Sequence, residues 1–399
     1  MIARLYRRRG ALVGRALASI VLCALAGCGV ALASGGGASS RVDHYEYVAT
    51  GGALDVYDVD RSGAPLVGHF ALPGVDEIRG IGASSASGML YISYGGFPKG
   101  AGHLLEFSLY RRRIIYDRAY PFGIDSFDIT HDGRLIFMPT GENTSGRTWH
   151  VLAASTGSLV GSIRAGRAPH DTVVGVNGKL VFLGGASADY LYEADTVNPW
   201  RIVGRIGPLV PAGVAGIRPF TINAEDTLAF TTGDRFLGFQ VGDIKTGRVL
   251  YTVPVPGFNI PSTFRELEAS HGIGLSPDEH YLWLLDEPNR AVHEFDISGL
   301  PRRTPVLVAT VHVSGGPAST NDGAPDWLNL SRDGRYIFVG DSGSVIDTAT
   351  RTVVATIGAL IDSRYNIEVD WSGGRVCAAY PRASLGYAGV APACDPQTG

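Results

Sequence analysis

The fold is read from Ser270-His271-Gly272-Ile273-Gly274-Leu275-Ser276-Pro277-Asp278-Glu279, followed by Tyr281-Leu282-Trp283-Leu284-Leu285. This stretch predicts a short apolar strand, a tight Pro-Asp turn and a second apolar strand. The pattern recurs. Asp326-Trp327-Leu328-Asn329-Leu330-Ser331-Arg332-Asp333-Gly334 leads into Tyr336-Ile337-Phe338-Val339. Asp125-Ser126-Phe127-Asp128-Ile129-Thr130-His131-Asp132-Gly133 leads into Leu135-Ile136-Phe137-Met138. Weaker copies run from Arg79 to Ile92, His170 to Leu183, Arg218 to Thr231 and Tyr365 to Ala378, making seven in all. When the copies are superposed on Ser276, Ser331 and Thr130, the residue five places earlier is His271, Asp326 and Asp125. In the weaker copies the same offset lands on Arg79, His170, Arg218 and Tyr365. Each opens an apolar strand, yet all seven are polar or amphipathic.

The openers are spaced by 46, 45, 48, 53, 55 and 39 residues. That period, with four strands per unit, is the signature of a β-propeller. Tyr45–Ala49, Leu54–Val59 and Leu66–Leu72 read as three strands with no opener before them. The last copy has an opener but only Arg375–Tyr380 after it. Joining the two chain ends completes one blade and leaves no open sheet edge. The expectation is therefore all-β: a single seven-bladed propeller of four-stranded blades over residues 45–399, with no second domain. Thr263-Phe264-Arg265-Glu266 fits a capping box, so residues 264–269 are expected to form a short helix, with a surface loop as the alternative.

The chain of 399 residues is 45% hydrophobic and only 18% charged, which suits a large core and excludes a disordered chain. Arg4, Arg7, Arg8, Arg9 and Arg15 precede an apolar run, Ala16 to Ala26, too short to span a bilayer comfortably. Leu25-Ala26-Gly27-Cys28 then resembles the lipobox of bacterial lipoproteins. The resemblance implies a signal peptide over 1–28, lipidation of Cys28 and a periplasmic or cell-surface lipoprotein. Soluble secretion, with cleavage after Ala31-Leu32-Ala33, is the alternative. Residues 29–44 are rich in Gly, Ser and Ala near their start and read as a tether. Removing the signal leaves 29 basic against 38 acidic residues, or −9. This argues against nucleic acid and limits membrane contact to the lipid anchor. Of four cysteines, Cys377 and Cys394 lie in the exported body and are expected to pair. A monomer is expected.

Ser276-Pro277-Asp278 with Tyr281-Leu282-Trp283, then Val292-His293-Glu294-Phe295-Asp296, resembles the repeat of YVTN-type propellers. So does the run from Ser344 through Asp347-Thr348-Ala349-Thr350-Arg351 to Ile357. The resemblance is good over 271–357, and the Tyr-Val-Thr-Asn tetrad itself is absent. It implies a propeller of the group that includes lactonase-like and quinoprotein amine dehydrogenase-like members, and an exported location. It transfers no activity, because function lives in the site.

Other motifs read as structure. Gly340-Asp341-Ser342-Gly343 copies the nucleophile tetrapeptide of trypsin-like proteases but falls in a turn, without the His and Asp such a serine needs. The Ser/Thr-x-Asp turns are closed by Asp accepting backbone N–H groups. Asn321-Asp322-Gly323-Ala324-Pro325-Asp326 is a denser acidic loop, with calcium as an alternative to turn chemistry. Arg111-Arg112-Arg113 reads as a solvated hairpin.

In a propeller the first strand of each blade lines the central channel, so its opening residues converge at one mouth. Around the ring they run Arg79, Asp125, His170, Arg218, His271, Asp326, Tyr365. Adjacent Asp–His pairs can hold an imidazole in one tautomer, as base or metal ligand, and Arg79 and Arg218 can grip an anion. The candidate metal ligands are Asp125, His170, His271 and Asp326. His170 and His271 are the candidate bases. Three functions follow. The first is a non-catalytic propeller binding a small molecule or protein partner at the mouth. The second is a lactonase-like hydrolase or quinoprotein-like dehydrogenase using the same ring. The third is a cell-envelope scaffold in which the polar ring merely satisfies itself. No cofactor is named by the sequence.

Overall fold

The computed structural model describes residues 41–96, 101–209, 216–315, 324–379 and Cys394. The signal region with Cys28 and residues 321–323 of the acidic loop lie outside the described residues.

Seven antiparallel sheets form the ring. Six are four-stranded blades, spanning 78–120, 128–164, 169–206, 217–254, 273–312 and 328–356, and the seventh joins the two ends of the chain. In the six four-stranded blades the first strand (Ile78–Ser84, Asp128–Ile129, Pro169–Val174, Ile217–Ile222, Ile273–Leu275 and Leu328–Leu330) is an edge strand and lies innermost, and in the closing sheet Asn366–Ser372 packs beside Ile78–Ser84. Successive first strands adjoin around the axis. Between the sixth and seventh, Asn329 Nδ2 donates to the Asn366 carbonyl at 2.7 Å. Among the described residues there is no α-helix, and no helix long and apolar enough to cross a membrane.

The core lies between blades. Each of seven apolar clusters belongs to one pair of neighbours. Phe137, Trp149, Val174 and Leu183 join blades two and three, and Trp283, Leu285, Leu328 and Ile337 join blades five and six. A middle strand is therefore covered on both faces. This is why Tyr281–Asp286 reads YLWLLD without alternation and is buried almost throughout. The outermost strands face solvent on one side and alternate, as in Arg113–Tyr120.

The recurrent turn has a physical basis. Ser276 Oγ donates to Asp278 Oδ1 at 2.6 Å and accepts the Tyr281 N–H at 3.0 Å. Thr130 with Asp132 and Leu135, and Ser331 with Asp333 and Tyr336, repeat the arrangement. The hydroxyl and carboxylate together close the hairpin, so these residues carry structure. Gly272 allows the next blade to approach. A Cβ there would stand 2.9 Å from the Leu328 nitrogen.

Two expectations are corrected. The closing sheet has five strands, in the order Arg375–Ala379, Asn366–Ser372, Val42–Thr50, Ala53–Asp58, Leu66–Ala71. The N-terminal strand pairs directly with Asn366–Ser372, from Val42 opposite Ser372 to Val48 opposite Asn366. That ladder is longer than the terminal hairpin's, and it displaces Arg375–Ala379 to the other edge. Residues 264–269 form no helix. Phe264 and Ala269 pack into the cluster between blades four and five while Glu268 reaches Arg218, and these separate anchors hold the segment in an irregular path.

Cys377 and Cys394 are joined, with Cα atoms 5.2 Å apart. Gly340-Asp341-Ser342-Gly343 turns between Tyr336–Val339 and Ser344–Asp347, where Ser342 and Ser344 share a hydroxyl hydrogen bond of 2.7 Å.

Candidate functional site

Three of the ring residues occupy β-bulges. Ile78 faces Tyr94 and Gly80 faces Ser93, so Arg79 has no cross-strand partner of its own. His170 is the extra residue between Pro169 and Asp171, and Arg218 lies with Pro219 inside the irregularity between Ile217 and Phe220. A bulge leaves its extra residue out of the ladder and re-aims the side chain. Asp125, His271, Asp326 and Tyr365 instead precede their strands. Both routes turn polar side chains toward one mouth.

There they form two facing networks. Arg79 donates from Nε and Nη2 to Asp125 at 3.2 and 3.1 Å and also binds Glu142. Asp125 Oδ2 lies 3.0 Å from His170 Nδ1. Arg218, only 7% exposed, is clasped by Glu142, Glu268 and Asp234. His271 Nδ1 donates to Asp326 Oδ1 at 2.6 Å, and Arg364 holds the other Asp326 oxygen. Arg364 Nε donates to the Tyr365 hydroxyl at 3.1 Å. The two imidazoles face one another nearly in parallel, centroids 6.2 Å apart. Arg79, Asp125, His170 and Arg218 are thus joined directly or through Glu142, His271, Asp326 and Tyr365 directly or through Arg364, and the two groups meet where the imidazoles face one another.

Arg79, Asp125, His170, His271, Trp327, Arg364 and Tyr365 line a cavity of about 50 Å³, with apolar wall from Ile81, Phe127 and Ile367. Arg79 and Asp125 also border a pocket of about 420 Å³ that reaches past Glu142 to His150. The inner cavity has room for a few waters or for the head of a ligand whose body lies in the larger pocket.

Electrostatics separates the residues by role. Burial raises the Asp125 carboxyl, but Arg79 and His170 outweigh it and bring it down to about 2. Burial pushes the His271 imidazole well below its ordinary range, against the pull of Glu268, so the ring is neutral. With Nδ1–H donating to Asp326, the lone pair resides on Nε2. That atom is buried and has no protein partner. His293 shows the contrasting, purely structural case: its Nδ1 meets Thr310 at 2.9 Å and its Nε2 meets Asp286 at 3.0 Å. Trp327, edge-on to His271, holds φ at 68°, a left-handed value that costs a bulky residue roughly 1–3 kcal/mol.

The geometry revises two chemical readings. Arg79 and Arg218, read from the sequence as anion grips, direct their guanidiniums at the protein's own carboxylates. Arg79, Arg218 and Arg364 are faced by Asp125, Glu142, Asp234, Glu268 and Asp326, so the mouth carries more acid than base. The potential metal ligands form two triads, Asp125, Glu142, His170 and His271, Glu287, Asp326, each with ligand atoms within 4.8 Å. A single centre made of Asp125, His170, His271 and Asp326 is not among them.

Sequence reasoning did not single out Glu142, Asp234, Glu268, Glu287, Arg364 or Trp327. A signal for half of these exists. The second strand of a blade runs antiparallel to the first, so its exit lies beside the opener. Glu142, Asp234 and Glu287 each follow such an exit, after Leu135–Pro139, Leu228–Gly233 and Tyr281–Asp286.

Fold and site together define a seven-bladed, all-β propeller with a buried, acidic, histidine-bearing channel mouth. Comparison with known proteins agrees at the level of fold. No family model matches the sequence, and no curated protein matches it significantly. Among solved structures, the chain is similar to a protein of unknown function from Desulfotomaculum acetoxidans, with a TM-score of 0.61 and 12% identity, covering 81% of this chain and 98% of that one. It is also similar to a proposed 6-phosphogluconolactonase from Bacteroides fragilis, with a TM-score of 0.60 and 15% identity, covering 82% and 98%. At these identities the likeness shows the fold alone.

Proposed function

We propose that the protein is an exported propeller that binds a small ligand rich in hydrogen-bond donors, a polyol, sugar or amine, at the channel mouth between His170 and His271. The observation that carries this reading is the His271 Nε2 lone pair, buried at the wall of the cavity with no protein partner. A buried acceptor without a donor costs roughly 1–3 kcal/mol, and a ligand O–H or N–H removes that cost. The surplus of carboxylates favours a neutral or cationic ligand over an anion. Trp327 lies against His271 and serves as a fluorescence reporter. The test is thermal shift and tryptophan fluorescence over a panel of polyols, sugars, amines and lactones. A ligand of the first three kinds is expected to raise Tm and change Trp327 emission, and both responses should vanish in His271→Phe. Responses identical in that variant would overturn the proposal.

A second reading, a lactonase-like hydrolase, rests on the His271–Asp326 pair. A neutral imidazole backed by a carboxylate can take a proton from water attacking a lactone carbonyl. Acid release from lactones by the wild type, lost in His271→Gln, is the outcome this reading requires.

Export rests on the N-terminal sequence. The reading predicts a mature chain beginning at lipidated Cys28, anchored by lipid alone. Mass spectrometry of the mature N-terminus decides it, and an unmodified chain starting at Ser34 would refute the anchor.

A further inference from the structure

The closing blade carries a second polar cluster, away from the channel mouth and unused by the proposed function. His44 and Glu46 alternate on one face of the N-terminal strand. They stand directly opposite Asp370 and Glu368 on the C-terminal strand. Residues two apart share a face, and so do directly opposed residues in an antiparallel ladder. All four side chains therefore converge. Glu46 is fully buried, Glu368 and Asp370 are 2% exposed, and one ligand atom each from His44, Glu368 and Asp370 lie within 4.8 Å of one another.

Three buried carboxylates on one face need compensation, and the protein supplies only part of it. Glu368 accepts the Arg332 N–H at 3.2 Å, and Asp370 Oδ2 lies 3.2 Å from Arg332 Nε. Both Glu46 oxygens and Asp370 Oδ1 have no protein partner. His44 is oriented from behind: its Nδ1 lies 3.0 Å from Asp60 Oδ1, leaving Nε2 for the cluster. A carboxylate on one imidazole nitrogen and a metal on the other is the usual support for a ligating histidine.

We infer that His44, Glu46, Glu368 and Asp370 bind a first-row divalent cation of the zinc or manganese kind, which clamps the N-terminal strand to the C-terminal strand. One imidazole nitrogen with carboxylate oxygens suits such ions better than calcium, which prefers oxygen alone. Three carboxylates beside one guanidinium leave two negative charges for a divalent ion to balance. The site spans the joint where the ring closes, so binding requires the closed ring and stabilises it by mass action.

The test uses the mature chain, freed of metal with a chelator and titrated with Zn²⁺ or Mn²⁺. One retained equivalent after gel filtration is expected, with a rise in Tm of a few degrees. His44→Ala should abolish both responses. Glu46→Gln, nearly isosteric and relieved of a buried charge, should fold at least as well without metal and lose affinity at least tenfold. A His170→Ala, His271→Ala double variant should retain the response, which separates this site from the channel mouth. Two outcomes would overturn the inference: wild-type protein whose Tm and metal content respond to neither ion, or a response unchanged in His44→Ala.

Discussion

Individual side chains at the mouth differ sharply in what their removal should do. Arg218 is buried among Glu142, Glu268 and Asp234, so Arg218→Ala strands Glu268 and Asp234 without their counter-charge and leaves Glu142 to Arg79 alone. The expected loss is about 3–5 kcal/mol, read by denaturant unfolding. His271→Ala removes a neutral ring and leaves Asp326 still held by Arg364. About 1–2 kcal/mol is expected, so loss of ligand response there reports on binding and not on folding. A second prediction concerns pH. Burial raises the Asp341 carboxyl to about 7, with Asp362 adding to it, and burial raises Glu193 to about 7 and Asp226 to about 6. A carboxyl whose folded pKa exceeds its unfolded value binds more protons folded than unfolded between the two. Stability therefore falls as pH rises from about 4 to about 7. Asp125 acts oppositely: its contribution is full above pH ~4 and lost as pH falls toward about 2. Tm should therefore be highest in mildly acidic buffer. Asp341→Asn should flatten the fall on the alkaline side, by an amount on the order of 4 kcal/mol. A wild-type Tm that climbs from pH 5 to 8 would contradict this.

At the scale of the element, the Ser/Thr-x-Asp turn closes the inner hairpins of blades two, five and six. Ser331→Ala removes the acceptor for the Tyr336 N–H and the partner of Asp333, and should cost about 1 kcal/mol. Ser276→Ala should cost the same. The two turns share no partner, so the double variant should show nearly the sum. Urea midpoints of the three proteins check it. The turn was legible because a hydroxyl and a carboxylate two residues apart recur at the same place in three copies. The bulges at Arg79 and His170 were not legible as bulges. Their effect was, because the extra residue stays polar while its neighbours stay apolar.

For the whole molecule, stability depends on how the ring closes. Five strands from both chain ends share one sheet, and the Cys377–Cys394 bridge fastens its last strand. Cys394→Ser should cost roughly 3 kcal/mol by the chain-entropy argument. Reductant should lower the wild-type Tm by the same amount and leave the variant unchanged. By itself the sequence determined the number of blades, their closure from both termini and the identity of the seven opening residues. Each of these repeats or is implied by what repeats, and a strand's burial leaves its trace in every copy. Only the tertiary structure decided which groups neutralise those residues. Glu268 and Arg364 come from connecting segments that obey no period. It also decided that the N-terminal strand pairs with Asn366–Ser372, since the longer ladder wins over the local hairpin. That choice sets His44 and Glu46 opposite Asp370 and Glu368. No spacing along the chain announces this pairing, because more than three hundred residues separate the partners and only ring closure brings them together.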